Sequence, residues 1–489
     1  MADILIVGGG VAGLSAGIYA RLAGYRATVL EQHYIAGGNL TGWQRGEYHI
    51  DNCIHWLTGT NPNSKTYKTW QDLGALEDTE IVKENSLYTC RLGGKSLSLV
   101  RDINRFEADL MSLSPEDEKE IKFLIRSIHT LMALNGIDGK DKNEKITLGG
   151  IIKGAPDLVR LYNMTTKDLA ERFKHPLIRF FLERFIGEDF GALAIVMVFA
   201  TFMGDNGDIP SGGSRRMAEN IVKRFESLGG ELILRAEVTK INMDGNRARS
   251  VTLKDGRELT ADYVIVTADP FAVFGYQNLI DRPFPKALYD QKESGRLYRF
   301  SSYHTAFACD TNELPFEADI FLNVPTKYQG KLRTKTIAVR EFSHEPSYAP
   351  EGKTVVQTMT YCTEPECLDF ILMKEKNPEE YKRRKEEIAG IIHRIIIAEF
   401  PTLEGKLRLI DVWTPASYKR FTGSEVGSFM SLLMPNKHLP LPLSNRVKET
   451  DNVILATQWL QSPGGLPLAA DSGRRAIKTI EKLERKKKK

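Results

Sequence analysis

Apolar and polar positions follow a regular order at the start of the chain. Asp3-Ile4-Leu5-Ile6-Val7 is an apolar run of strand length, and a second such run ends at Val29-Leu30-Glu31. Glycines at Gly8, Gly10 and Gly13 separate the first run from the stretch that leads to the second. The pattern predicts a strand, a helix and a second strand, which is the repeating unit of a parallel sheet covered by helices.

The middle of the chain, residues 105–202, has a helical pattern instead. Ser114-Pro115-Glu116-Asp117 is typical of a helix start, with proline in the first position and acids in the first turn. Apolar residues then recur at helical spacing at Ile121, Leu124, Ile125, Ile128 and Met132. The run from Ala192 to Met203 is strongly apolar, and it is interpreted either as a buried core helix or as the lining of an apolar substrate cavity.

A second block of alternating elements follows Pro210-Ser211-Gly212-Gly213. In this block the pattern predicts a helix over 215–228 and strands over 231–235, 237–243, 249–253 and 263–267. Later in the chain it predicts a helix over 379–399, a strand over 452–456 and a helix from Leu468 toward Leu483. Before the helical region it predicts a hairpin over 88–100. The order of these elements indicates an α/β protein with a second unit inserted into the first.

Composition limits the class of protein. A chain of 489 residues is too long for one compact core, so two domains are expected. The apolar content of 42% and charged content of 27% are typical of soluble globular proteins, and a net charge of +4 gives no argument for nucleic acid. The longest apolar stretch, from Gly191 to Met203, has thirteen residues and is too short to span a bilayer.

The cysteines and the chain ends add expectations about location. Five scattered cysteines indicate a reducing compartment, and no spacing among them fits a zinc site, so no metal is predicted. The first strand begins at Asp3 without a basic leader, so we expect no signal peptide and a cytoplasmic protein. The basic end, Arg485 to Lys489, is either a solvated helix terminus or a weak attraction to an anionic membrane surface, which would make the protein peripheral.

The glycine turn after the first strand indicates a dinucleotide site. Gly8 permits the tight turn, Gly10 lets a pyrophosphate approach the backbone, and Gly13 lets the helix lie close to the sheet. The helix N-terminus offers free N–H groups to the phosphates. Glu31 follows the second strand, where a carboxylate binds a ribose hydroxyl and repels a 2′-phosphate, so FAD or NAD is expected.

Four blocks of the sequence resemble a known family. They are Gly8 to Glu31; Gly37-Gly38 with Gly46 to Leu57; Pro210-Ser211-Gly212-Gly213 through Val238 to Ile265; and Ile454 to Gly473. In this order they are similar to the phytoene desaturases, carotenoid isomerases and retinol saturases of the amine-oxidase-like flavoprotein superfamily. The resemblance covers nearly the whole chain.

The resemblance implies FAD as the cofactor and a Rossmann-like, three-layer, mostly parallel FAD-binding domain with an interleaved α+β substrate domain. The FAD-binding domain would comprise residues 1–100, 205–275 and 446–489, and the substrate-binding domain residues 101–204 and 276–445. Val238 would face the adenine, and the backbone at Leu466 to Ala470 would face the flavin. The implied cofactor-binding residues are Gly8, Gly10, Val11, Ala12, Gly13, Glu31, Gln32, Gly38, Asn39, His55, Val238, Gln458, Leu466, Leu468 and Ala469.

The chain departs from the family at several of these positions. Asn39 stands where many relatives carry Arg or Lys, and Thr457-Gln458 replaces a Gly-Asp pair. Pro463 and Leu468 each replace a glycine. FAD binding is still expected, with a changed affinity or flavin potential.

The segment from Asp51 to Leu57 is expected to run beside the flavin. His55 is the candidate catalytic residue, as a group that exchanges the proton accompanying hydride transfer; a structural or flavin-bonding role is the alternative. Trp56 and Trp459 are expected either in the flavin pocket or in the core. A covalent flavin link at Cys53 is not expected, and core packing is expected for Tyr303 and His304.

Three functions follow from these interpretations. The first is an FAD oxidoreductase that desaturates, saturates or isomerises carbon–carbon bonds of an apolar substrate of polyene or isoprenoid type, with an electron partner that the sequence does not name. The second is an amine oxidase, in which a lysine beside the flavin and an aromatic cage are usual. The third is a non-catalytic lipid carrier on the same fold, like the dissociation inhibitors of Rab proteins. The intact glycines and Glu31 argue against the carrier.

Overall fold

A computed structural model describes residues 2–135, 148–185, 187, 189–294, 298–433 and 442–487. The strands are β1 (Asp3–Val7), β2 (Arg26–Leu30), β3 (Gly42–Arg45), β4 (Tyr48–Asp51), β5 (Leu57–Thr58), β6 (Ile81–Val82), β7 (Ser86–Leu92), β8 (Lys95–Val100), β9 (Gly207–Pro210), β10 (Glu231–Ile233), β11 (Val238–Asp244), β12 (Arg247–Leu253), β13 (Glu258–Thr260), β14 (Tyr263–Val266), β15 (Phe300–Asp310), β16 (Ile320–Asn323), β17 (Thr336–Glu341), β18 (Lys353–Thr363), β19 (Arg408–Trp413) and β20 (Val453–Leu455). The α-helices are α1 (Val11–Leu22), α2 (Lys65–Asp72), α3 (Ile103–Leu113), α4 (Glu118–Leu134), α5 (Leu148–Tyr162), α6 (Thr166–Ala170), α7 (Pro176–Arg184), α8 (Ala192–Met203), α9 (Gly213–Ser227), α10 (Lys286–Glu293), α11 (Thr326–Leu332), α12 (Glu364–Lys376), α13 (Pro378–Glu399), α14 (Pro415–Thr422) and α15 (Leu466–Lys487).

A five-stranded parallel sheet in the order β10-β2-β1-β14-β20 forms the centre of the nucleotide-binding part. Along β1, Ile4 and Ile6 pack on one face with residues of α1, α9 and α15, whereas Leu5 and Val7 pack on the other face with the β11–β12 hairpin. Both faces are therefore buried, which explains why the strands read as continuous apolar runs. The predicted α/β class with a mostly parallel sheet is confirmed.

A seven-stranded sheet in the order β19-β15-β18-β17-β16-β7-β8 dominates the second part of the molecule. Tyr303 and Phe307 of β15 face α13, whereas Ala306 and Ala308 face Trp413 and Tyr418. The hairpin predicted over 88–100 is present as β7–β8. It belongs to this sheet, which therefore draws strands from both sides of the domain boundary predicted at residue 100.

A helical cluster from α3 to α8 covers β7 and β8. Helix α8 buries Ile195, Val196 and Phe199 in the same apolar cluster as α4 and α7. Of the two interpretations of the Ala192–Met203 run, the structure shows the buried core helix. No helix among the described residues is long and apolar enough to cross a membrane.

Two helices begin earlier than the pattern predicted. Helix α9 begins at Gly213, where Gly212 and Gly213 take up positive φ values of 77° and 57°. Helix α15 begins at Leu466 and not at Leu468, because Pro467 is tolerated in the first turn of a helix. The strand predicted over 231–235 ends at Ile233, since Arg235 has a φ of 56° that a strand does not allow.

Candidate active site

The glycine turn lies at the carboxyl edge of the parallel sheet. Gly8 leaves β1 with a φ of 106°, and a Cβ at Gly13 would overlap the carbonyl oxygen of Gly8. Gly10 precedes α1 and provides no side-chain acceptor for the first turn of the helix. The amides of this turn are thus arranged to meet an external anion, as the sequence predicted for a pyrophosphate.

Glu31 lies directly after β2 and is buried. Its carboxylate accepts hydrogen bonds from the backbone amides of Gly9 and His33, each at 2.8 Å. Burial raises the pKa of Glu31, and the backbone amides oppose this effect. A carboxylate has more acceptor positions than these two amides use, so Glu31 can also accept from ribose hydroxyls.

A second glycine loop faces the first. The Gly37 amide donates to the Gly9 carbonyl at 2.9 Å, and a Cβ at Gly38 would lie 3.2 Å from Gly10 Cα. Gly10 and Gly38 nevertheless keep accessible surface. The two loops form a groove whose walls are bare backbone, which suits the close approach of a pyrophosphate.

The first turn of α15 is placed beside the first turn of α1. The Ser15 hydroxyl donates to the Ala470 carbonyl at 2.7 Å, and a Cβ at Gly473 would lie 2.7 Å from the Ala12 carbonyl oxygen. Leu466, Leu468 and Ala469 precede this crossing and are partly accessible. The structure therefore brings together the two helix N-termini that the sequence assigned to the two ends of the cofactor.

Asn39 and Gln458 meet at a segment that the sequence did not single out. The carbonyl of Phe429 accepts from Asn39 Nδ2 at 3.3 Å and from Gln458 Nε2 at 3.4 Å. Gln458 Oε1 also accepts from the Gly465 amide at 2.8 Å, so it holds the loop that leads into α15. Gln458 replaces a carboxylate here and can donate as well as accept, which a carboxylate cannot.

Several buried polar atoms around this meeting point have no protein partner within the described part of the chain. They are Asn52 Oδ1, Ser428 Oγ and Ser431 Oγ. Asn52 contacts the Asn39 carbonyl through its Nδ2 at 3.0 Å, which places its free oxygen beside the same groove. Buried polar atoms without partners are costly, so this region fits a ligand with polar edges, such as a flavin ring.

Asp51 fixes the turn that leads into the interior. Its carboxylate accepts from the Ser214 amide at 2.7 Å, the Ser214 hydroxyl at 2.6 Å, the Tyr348 hydroxyl at 3.0 Å and the Cys53 amide at 3.0 Å. It joins β4, the start of α9 and the loop after β17. Arg340 supports the same turn by donating to the carbonyls of Ile54 and His55.

Cys53, His55 and Tyr361 lie deep in the molecule but are not fully covered by protein. Each keeps accessible surface, although burial is the main cause of a strong pKa shift in all three. Burial, followed by the charges of Arg340 and His304, holds the pKa of His55 well below its usual range. The imidazole is therefore neutral at pH 7, which suits a hydrogen-bonding group, and the same low pKa makes it a weak proton acceptor.

Burial raises the pKa of the Cys53 thiol to about 12, with a further contribution from Asp51. Because the thiolate is the reactive form of cysteine, this environment gives no support to a covalent flavin link at Cys53. His55 and Trp56 line a polar cavity together with Asp208, Asp319 and Arg340, and Trp56 also contacts Gly207. That cavity has room for about one water molecule.

The remaining candidate side chains have core roles. His304 stacks on Trp413 with ring centroids 4.6 Å apart, and its Nε2 is 2.6 Å from the Ser302 hydroxyl. Tyr303 is buried and donates to the Lys385 carbonyl at 2.7 Å. Trp459 packs edge-on against Phe271 at 5.3 Å. Tyr303 and His304 thus have the core-packing role that the sequence predicted. Of the two roles expected for Trp459, the structure shows core packing.

Two predicted cofactor residues lie away from these contacts. Gln32 is exposed and its side chain approaches Gly423. Val238 starts β11 and buries its side chain in the apolar cluster behind the parallel sheet, so only its backbone can face an adenine. Within the described ranges, no three His, Cys, Asp or Glu side chains form a group able to hold a metal ion, and every lysine keeps accessible surface.

The arrangement is typical of a dinucleotide-binding protein: a parallel sheet, two glycine loops, a buried carboxylate after the second strand and a second helix N-terminus. The family model described as flavin containing amine oxidoreductase matches residues 11–477 of the chain. The chain therefore belongs to the flavin-containing amine oxidoreductases, and the resemblance inferred from the sequence blocks is confirmed.

Relatives support this assignment over most of the chain. The chain is 26% identical to the prolycopene isomerase of Daucus carota over 468 residues, which cover 87% of this chain and 71% of that protein. It is 26% identical to the lycopene-forming phytoene desaturase of Paracoccus sp. over 285 residues, or 56% of each chain.

Solved structures show the same fold. An oxidoreductase from Methanosarcina mazei aligns with a TM-score of 0.62 at 17% identity and covers 97% of this chain and 100% of that one. Putrescine oxidase aligns with a TM-score of 0.60 at 15% identity, covering 98% and 99%. The protein is an FAD-dependent oxidoreductase, and the residues that form the groove fit that cofactor.

Proposed function

We propose that the protein acts on carbon–carbon bonds of an apolar substrate of the polyene or isoprenoid type, by desaturation, saturation or isomerisation. The observation that carries the proposal is the similarity to prolycopene isomerase along 87% of the chain. A 1-hydroxycarotenoid 3,4-desaturase from Flavobacterium sp. is also similar, at 23% identity over 309 residues. Both of these relatives are named for carotenoids.

An aromatic wall formed by Tyr361, Phe300 and Phe429 supports the proposal chemically. The Tyr361 ring is 5.7 Å from Phe300, which in turn is 5.3 Å from Phe429. Phe300 is buried, whereas Tyr361 and Phe429 keep accessible apolar surface against which a polyene can pack. Phe429 is also the residue whose carbonyl binds Asn39 and Gln458, so this aromatic wall adjoins the cofactor groove.

FAD, when bound, accepts or supplies the hydride that desaturation or saturation of a carbon–carbon bond requires. The chain's own residues have three tasks. The glycine loops and Glu31 hold the nucleotide end, the α15 N-terminus stabilises negative charge at the flavin end, and the neutral His55 imidazole can accept a proton at its ring nitrogen. We include in the proposal a cytoplasmic protein in peripheral contact with a membrane, where such a substrate dissolves.

The test uses purified FAD-loaded protein with prolycopene or phytoene in detergent micelles. Each polyene is supplied once with dithionite-reduced protein under nitrogen and once with oxidised protein and a quinone acceptor. We expect a new polyene peak on reversed-phase chromatography in at least one condition. The His55→Ala variant should retain FAD and convert the polyene more slowly; a rate equal to that of the wild type would remove His55 from proton transfer.

The opposite outcome is equally clear. If no polyene changes, and the protein instead releases hydrogen peroxide with putrescine or cyclohexylamine, the proposed function is wrong and amine oxidation takes its place. If the purified protein binds no FAD and converts no polyene, both enzyme functions are contradicted.

A further inference from the structure

The backbone around His55 is held by two charged side chains of opposite sign. Asp51 Oδ1 accepts hydrogen bonds from the amides of Cys53 at 3.0 Å and Ile54 at 3.3 Å. Arg340 donates from Nη1 to the Ile54 carbonyl at 2.7 Å and from Nη2 to the His55 carbonyl. The peptide group before Ile54 is therefore held at its N–H, and the peptide group after Ile54 is held at its carbonyl.

Arg340 itself has little freedom to move. It lies on β17 with 7% of its surface exposed, and its Nε is 3.2 Å from Asp319 Oδ1. Its guanidinium also lies over the Phe342 ring at 5.4 Å. A buried guanidinium is stable only when its charge is balanced, so the ion pair with Asp319 on one side and the two carbonyls on the other determine its position.

The contact is not explained by local folding. Arg340 and His55 are 285 positions apart in sequence, and the hydrogen bonds join the seven-stranded sheet to the loop that follows β4. An arginine that only stabilised the sheet would need no contact with this loop. The planar guanidinium fork can hold two adjacent carbonyls at once, which the single ammonium group of lysine does not reproduce.

We propose that Arg340 is a positioning residue for His55: together with Asp319 it holds the Ile54 and His55 peptides and thereby fixes the position of the imidazole. The inference rests on the proposed function, since it takes His55 as a residue of the reacting site. Arg340 acts through the backbone of the loop and not through contact with a substrate.

The test compares Arg340→Met and Arg340→Lys with the wild type, all loaded with FAD. Hydrogen–deuterium exchange is measured by mass spectrometry on peptides that cover residues 51–57. We expect Arg340→Met to speed exchange in these peptides by about tenfold or more, because the lost bonds have a charged donor. The visible circular dichroism of bound FAD should change as well. Arg340→Lys keeps the charge and one donor direction, so its exchange should be intermediate.

Arg299→Met is the matched control. Arg299 is also buried, at 3% exposed, is paired with Glu364 and Glu425, and lies over the Phe271 ring at 4.7 Å. Its loss should lower the melting temperature without a selective effect on residues 51–57. Wild-type exchange and an unchanged FAD spectrum in Arg340→Met would overturn the proposal, and so would the same selective change in Arg299→Met.

A second variant keeps the test decisive if Arg340→Met does not fold. Asp319→Asn removes the ion pair and leaves both carbonyl contacts available, so exchange at residues 51–57 should rise by a smaller factor; no rise would count against the proposal. With an active wild type, Arg340→Met should lower kcat more than it raises KM. If the wild type converts no polyene, the proposed function fails, whereas the exchange measurement still decides the role of Arg340.

Discussion

The Glu31 carboxylate is prepared for a ribose by the backbone around it. It accepts from the Gly9 and His33 amides and lies between β2 and the glycine turn. Glu31→Arg would place a cation beside the positive end of α1 and remove the acceptor. We therefore expect the Kd for FAD to rise by about tenfold or more, since hydrogen bonds to a charged group contribute about 1.5–3 kcal/mol.

Fluorescence titration of the apoprotein with FAD measures this change. Glu31→Gln keeps the size of the side chain and should weaken binding less, and Glu379→Arg, at an exposed position of α13, should leave the Kd unchanged. A Kd for Glu31→Arg within twofold of the wild type would show that Glu31 is not at the ribose.

Single residues also show how far the sequence could lead. Glu31 and the glycines carry local signals, because a strand, a turn and a helix lie within the same short stretch of chain. Phe429 carries no such signal: it is 390 positions from Asn39, and its contribution to the groove is a backbone carbonyl that any residue could provide. Arg340 was missed for the same reason, since only the pairing of β16 with β17 brings it and Asp319 to the loop after β4.

At the scale of elements, the crossing of α1 and α15 depends on Gly473. Alanine normally stabilises a helix interior over glycine by about 1 kcal/mol. Here a Cβ would lie 2.5 Å from the Ala16 amide nitrogen and 2.8 Å from the Ser15 hydroxyl, and backbone cannot move aside as a flexible side chain can. We expect Gly473→Ala to lower the melting temperature and the amount of FAD retained after desalting.

Gly390→Ala, in α13, is the matched control for this helix substitution. A Cβ there meets only the end of the Arg394 side chain, at 3.5 Å, so the usual helix preference should apply and the melting temperature should stay the same or rise. Equal effects of the two substitutions would show that α1 and α15 do not pack as closely as described. The sequence predicted α1 and α15, but it placed the start of α15 at Leu468. The helix begins at Leu466 because Pro467 is tolerated in the first turn, which the apolar pattern does not reveal.

At the scale of the whole molecule, the two sheets are joined by polar links as well as by apolar packing. Arg299, directly before β15, pairs with Glu425, and Asp269, in the loop after β14, accepts from the Ser424 hydroxyl at 2.9 Å and the Glu425 amide at 3.1 Å. The chain between residues 424 and 431 therefore connects the parallel sheet, the seven-stranded sheet and the cofactor groove. A change in charge at this link should therefore change the free energy of unfolding of the whole protein.

Asp269 makes that link dependent on pH. Burial raises its pKa to about 6, against hydrogen bonds from Ser424, Phe271 and Glu425 and the charge of Arg299, which lower it. Because the folded pKa lies above the unfolded value of 3.8, the stability that the protonated carboxyl contributes is fully present below about pH 4 and is lost as the pH rises through about 6. The difference between the two pKa values corresponds to about 3 kcal/mol.

Asp269→Asn removes this titration, although it costs a hydrogen bond at every pH because an amide cannot accept at both positions. We expect the wild type to lose stability relative to Asp269→Asn as the pH rises from 4.5 to 7, by about 2 °C in the difference of melting temperatures, and the difference to be constant above about pH 7. Differential scanning calorimetry across this range measures it, with Asp255→Asn at an exposed turn as the control. A constant difference from pH 4.5 to 7 would mean that the Asp269 carboxyl is ionised throughout, and that the connection between the two sheets is held by the charged form.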